Sequence, residues 1–97
     1  MSLDPLHSLG ISKHAELKTR NDGAVLVLPE RAIRLGGSGA EILHLVAEKR
    51  KIESILSAMR DRYPDSPEVA TEVLRFLDEM LGLGGLVDLG ESLEETS

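Results

Sequence analysis

The chain has 97 residues, enough for one hydrophobic core and too few for two, and it carries a net charge of −6 with no cysteine. A disulfide framework, a thiolate metal site and a thiol nucleophile are thereby excluded. Aromatics at 2%, in practice Tyr63 and Phe76, leave no platform for stacking the bases of a single strand, and the net charge opposes a phosphate backbone.

Residues 1–13, which include Pro5 and Gly10, show no stable period and are expected to form a flexible N-terminal arm. They also lack the basic and apolar regions of a secretory signal. No segment approaches the roughly 18 apolar residues of a membrane span, so the expectation is a soluble, cytoplasmic protein.

From His14 the pattern changes. Ala15, Leu17 and Thr19 alternate with Glu16, Lys18 and Arg20, the period of two of a half-buried strand. Asn21-Asp22-Gly23 is turn chemistry and leads into the apolar run from Ala24 to Leu28, which predicts a hairpin. Pro29 cannot donate to a ladder and marks a strand end. Arg31-Ala32-Ile33-Arg34-Leu35 then resumes alternation with Ile33 and Leu35 on one face, a third short strand.

Gly36-Gly37 interrupts, and Ser38-Gly39-Ala40-Glu41 has the S-x-x-E spacing in which Ser caps a helix and Glu reaches back to it. Ile42, Leu43, Leu45 and Val46 supply that helix with an apolar stripe. Ile52, Ile55, Leu56, Met59 and Tyr63 fall on one face of a second helix, which Pro64 ends. Asp65-Ser66-Pro67-Glu68 offers caps, an early proline and an early acid for a third. Its core stripe is Val69, Val73, Phe76, Leu77, Met80 and Leu81, and Gly82, Gly84 and Gly85 stop it. Leu86-Val87-Asp88-Leu89 reads as a short strand or a packed tail, and residues 90–97 as an acidic C-terminal tail. Strands segregated from helices predict an α+β domain over residues 14–89.

Catalytic chemistry finds little support. His7, His14 and His44 have no spacing that converges ligands on a metal, and flanking glycines do not make Ser38 a phosphate loop or a nucleophile elbow. The acids of the third helix lie on its outward side, where charge means a solvated face rather than a cleft able to split two pKa values. The expectation is no enzyme, no cofactor and no metal. A winged-helix DNA-binding reading is weakened by that same helix, whose Glu68, Glu72, Asp78 and Glu79 oppose a single Arg75. The strand Arg31-Ala32-Ile33-Arg34-Leu35 remains. At a sheet edge its free N–H and C=O groups could accept an extended peptide, or a second copy of the chain as a homodimer, or be blunted by Arg31 and Arg34 and do nothing.

Leu26-Val27-Leu28-Pro29-Glu30 resembles the L-x-x-P-E segment of the PqqD family, and the similarity continues in order. Ser38-Gly39-Ala40-Glu41-Ile42-Leu43 resembles the small-residue run into A-x-I-L, and Ile52-Glu53-Ser54-Ile55 the start of the next helix. Arg62-Tyr63-Pro64, Val73-Leu74-Arg75-Phe76-Leu77 and Gly85-Leu86-Val87 are similar to later family segments. There are departures: Glu48-Lys49 stands where the family has Asp-Gly, Glu72 where it has Asp, and Leu86 where some members have an aromatic. The missing glycine implies a loop that differs, since a left-handed turn is expected there.

The resemblance implies a winged-helix-like fold of three short N-terminal strands followed by three helices. It also implies a non-catalytic peptide chaperone, a leader-recognition element that binds a PqqA-like precursor peptide. In pyrroloquinoline quinone biosynthesis such a protein presents that peptide to a PqqE-like radical SAM enzyme; a leader-recognition role for another modified peptide stays open. By the family's mode the peptide would pair with Arg31, Ala32, Ile33, Arg34 and Leu35 and lie against Leu74, Arg75, Asp78 and Leu81.

Overall fold

A computed structural model describes residues 3–20 and 23–91. In chain order the elements are β1 (His7–Ile11), β2 (Glu16–Arg20), β3 (Gly23–Val27), β4 (Ala32–Leu35), α1 (Gly37–Ala47), α2 (Ile52–Arg62), α3 (Val69–Gly82) and β5 (Leu86–Glu91). The alternating stretches form an antiparallel sheet in the order β2-β3-β4, with Leu17 opposite Leu26 and Leu26 opposite Ile33. The turn residues Asn21 and Asp22 lie outside the described residues; Gly23, which follows them, has φ 141°, a conformation that side chains disfavour.

The three helices stand where their periodicity places them, and the fold is α+β. Leu26 from the sheet meets Leu43 and Val46 of α1, Ile52, Ile55 and Met59 of α2, and Val73 and Leu77 of α3 in one core, each at most 2% exposed. Aliphatic residues fill this core almost alone. Phe76 is only half-buried and lies at its margin.

Beside the three expected N-terminal strands, the strand reading of Leu86 to Leu89 holds as β5, and one further strand is unforeseen. Part of the expected arm is β1, antiparallel to β5 with Gly10 opposite Val87 and Ile11 opposite Leu86, and with a bulge between Ser8 and Leu9. Leu9 is 0% exposed and belongs to the main core. The segment ahead of β1 is tied in as well: the backbone N–H of Glu53, one of the orphan donors in the first turn of α2, donates to the carbonyl of Pro5 at 2.9 Å. Gly90 and Glu91, expected in the acidic tail, complete β5; residues 92–97 lie outside the described residues.

The expected caps are not the ones used. Gly36 occupies the N-cap of α1, no side chain caps it, and Ser38 lies within the first turn. Glu41 reaches the end of α2 instead, where it accepts from the Tyr63 hydroxyl at 2.6 Å and from the Arg62 guanidinium at 2.9 Å. The Tyr63 bond, helped by Arg62, holds the Glu41 carboxyl below its ordinary pKa, and the same bond raises that of the Tyr63 phenol. The cap of α3 is Glu68, again without a side-chain hydrogen bond.

The loop between α1 and α2 keeps a left-handed residue without a glycine. Lys49 has φ 60°. For an L-residue that conformation costs about 1–2 kcal/mol, offset in part by the extra unfolded-state freedom of glycine. Lys49→Gly is therefore expected to stabilise the fold by about 0.5–1 kcal/mol, seen as a higher urea midpoint with unchanged slope.

Candidate functional site

The hydrogen-bond phase of β4 decides what its free edge offers. Leu28 and Arg31 exchange both backbone bonds, N–H of Leu28 to O of Arg31 at 2.7 Å and N–H of Arg31 to O of Leu28 at 3.4 Å. In an antiparallel ladder, bonded pairs alternate with non-bonded ones. Following the register from that pair, Ile33 and Leu35 turn their main-chain groups toward β3, while Ala32 and Arg34 turn theirs outward. No strand lies beyond β4 in its sheet among the described residues. The edge therefore presents two residues' worth of N–H and C=O groups, spaced for one further strand.

Side-chain direction agrees with this phase. Ile33 and Leu35 face the core, half-buried and buried, and Ala32 and Arg34 are exposed.

Helix α3 comes near both ends of this edge. A Cβ placed on Gly39 would lie 3.3 Å from the Phe76 ring and 3.9 Å from Cβ of Leu35, so Phe76 seats over the start of α1, just past the end of β4. At the other end, Leu83 shares a hollow of about 260 Å³ with His14, Leu28, Pro29 and Arg31. The helix thus runs antiparallel to β4, its middle beside the strand's end and its C-terminus beside the strand's start. A second hollow, about 200 Å³ and lined by Gly39, Ile42, Val69, Val73 and Phe76 with Glu72 at its rim, lies past Leu35. An exposed edge with a hollow near either end, the one at Arg31 mixed in character with His14 and Glu30 beside Leu28 and Leu83, has the form of a surface for an extended peptide, with main-chain bonds for affinity and side-chain seats for selectivity.

Arg31, Ala32, Ile33, Arg34 and Leu35 come together at this edge. The helix residues named from the sequence sit elsewhere on α3. At about 100° per residue, Leu74 and Leu81 lie about 160° around the helix from Phe76 and Leu83 respectively. Both are half-buried and packed on the core, while Arg75 and Asp78 are exposed. Periodicity alone puts Phe76 in the core stripe and gives Leu83 no role among the terminating glycines. Seven residues separate the two, close to two helical turns, which was the available signal for a shared flank.

The histidines stand apart. His7 pairs with Asp88 across the β1–β5 ribbon at 3.1 Å, His14 lies in the loop before β2, and His44 on α1 meets the Thr19 hydroxyl at 3.4 Å. A backbone bond from Gly90, then the contact with His7, keeps the Asp88 carboxyl below its ordinary pKa. The exposed face of α3 is mostly acidic, with Glu72, Asp78 and Glu79 beside Arg75. No described helix is long and apolar enough to cross a membrane.

A family model described as "Coenzyme PQQ synthesis protein D (PqqD)" matches residues 23–86, from β3 to the first residue of β5. Among curated relatives, a "PqqA binding protein" of Pseudomonas paraeruginosa is 33% identical over 81 residues, covering 80% of this chain and 88% of that one. One of Pseudomonas aeruginosa is 34% identical over 77 residues, covering 79% and 84%. One of Azotobacter vinelandii is 41% identical over 54 residues, covering 56% and 59%. No solved structure gives a significant match.

Proposed function

The chain belongs to the PqqD family, and from that premise we propose that it is a non-catalytic chaperone of pyrroloquinoline quinone biosynthesis, holding a PqqA-like precursor peptide for a PqqE-like radical SAM enzyme. The observation that carries the binding step is the open edge of β4. Ala32 and Arg34 direct their main-chain groups outward, and Phe76 and Leu83 set apolar side chains near the two ends of the strand. A peptide adding as a fourth strand satisfies those groups and sets alternate side chains toward the hollows at either end.

The unit that does this is the domain of residues 14–89 together with β1, which β5 requires as its partner. Selectivity for the precursor comes from side chains flanking the edge, with Phe76 and Leu83 nearest and Leu74, Arg75, Asp78 and Leu81 further round the helix. The same edge would admit a second copy of the chain only while no peptide fills it, so a homodimer and a loaded chaperone are alternatives. A DNA-binding role for α3 is disfavoured by its acidic face.

The test is an amide NMR titration of the labelled protein with a synthetic PqqA-like precursor peptide. Shifts at Ala32, Arg34, Phe76 and Leu83 are expected. Silence at β4 under high peptide excess overturns the reading.

A further inference from the structure

The edge of β4 is not the end of the concave surface. His14, at the hollow where β4 begins, also lines a shallow one with Lys13, Glu16, Val27 and Pro29, and then a third over the β1–β5 ribbon. That last hollow measures about 490 Å³, larger than either one near β4.

Its floor is apolar because of one glycine. Gly10 has no side chain, so Leu89 lies across it: a Cβ there would come within 3.1 Å of Cδ1 of Leu89. Leu89 and the neighbouring Val87 remain 47% and 40% exposed, large apolar side chains on an uncovered ribbon face.

Its rim is cationic. Lys13 and Lys49 line the hollow and no carboxylate does; among the described residues neither lysine has an ion-pair partner. In a chain of net charge −6 this is a local reversal of sign. Lys49 stands, moreover, at a left-handed backbone position where glycine would be at ease, so its side chain is kept at a conformational cost.

We propose that the flank of the bound peptide emerging at the Arg31 end of β4 crosses His14 and seats in the ribbon hollow. That flank carries acidic residues next to apolar ones, the carboxylates meeting Lys13 and Lys49 and the apolar side chains covering Val87 and Leu89. The inference rests on the reading of β4 as the peptide edge and extends it to a two-part site. For a strand added antiparallel to β4, the flank is the peptide's C-terminal side. An isologous contact with a second copy is disfavoured, because it would set the lysine rim against itself.

The test uses the whole chain, a full-length PqqA-like precursor peptide, and two shortened precursors, each trimmed at one end to the strand-forming segment. Amides of Gly10, Val87 and Leu89 are expected to shift with the full precursor and with only one shortened form. The double variant Lys13→Glu and Lys49→Glu is expected to bind the full precursor about tenfold more weakly at low salt, and to bind the form lacking the flank as the parent chain does. Both lysines are exposed, so an unchanged melting curve serves as the control for folding. Shifts at β4 with a silent ribbon, or an affinity indifferent to both lysines, overturn the two-part site while the β4 reading stands. Silence at β4 as well overturns both. Ribbon shifts on concentrating the protein alone assign the hollow to a second copy and also overturn the proposal.

Discussion

Replacing Arg34 by proline is expected to weaken precursor binding by roughly tenfold to a hundredfold while changing stability by less than about 1 kcal/mol. The N–H of Arg34 points away from β3, so its loss takes nothing from the ladder within the sheet. Proline is tolerated at edge positions for that reason. An incoming strand loses a donor and meets the pyrrolidine ring, and its own carbonyl is left without a partner, which costs about 1–3 kcal/mol. Ala32→Pro is expected to behave in the same way. Ile33→Pro is the opposite case, since its N–H faces Leu26 across the ladder and its removal costs about 3 kcal/mol of the fold itself. Arg34→Ala keeps the main chain and is expected to change affinity by less than about threefold. Calorimetric titration of the four variants beside thermal melts separates these outcomes. Equal weakening by Arg34→Ala and Arg34→Pro would move recognition from the backbone to the side chain and refute strand addition.

The open edge of β4 was legible because its determinants are local. Pro29 fixes where β3 stops, the alternation of Ile33 and Leu35 fixes which face of β4 is buried, and Gly36-Gly37 fixes where the strand gives way to helix. Which flank of α3 lies nearer that edge was not, because a helix has two flanks and periodicity alone does not say which one a neighbouring strand takes. Val73 and Leu77 define the buried center of α3 equally well with the groove on either side; only the seat of Phe76 over Gly39 selects one. The cap of α1 misled for a related reason. Ser38 and Glu41 have capping-box spacing, but Tyr63, 22 residues further on, takes the Glu41 carboxylate in a contact that no local pattern encodes. At Lys49 the missing glycine suggested a changed loop, whereas the surrounding helices hold the left-handed turn and the lysine bears its cost.

The ribbon is the clearest case of structure hidden from sequence, and it carries the largest expected loss of stability. In His7-Ser8-Leu9-Gly10-Ile11 only Leu9 is a large, fully buried side chain; Ser8 and Gly10 are buried but small, so no alternation shows. Its partner β5 lies at the other end of the chain, with Leu9 opposite Asp88. Leu9→Ala is nonetheless expected to cost about 2–5 kcal/mol, because a side chain at 0% exposure leaves a cavity in the core shared with α1 and α2. For a domain of this size each kcal/mol lowers Tm by about 4–8 °C, so a fall of at least about 8 °C follows. Leu6, 46% exposed just ahead of β1, is the matched control, and Leu6→Ala is expected to stay within about 0.5 kcal/mol. Urea melts of the two variants are the measurement. Indifference to Leu9→Ala would return β1 to the status of a detachable arm, and the ribbon hollow, which β1 and β5 build together, would lose its floor.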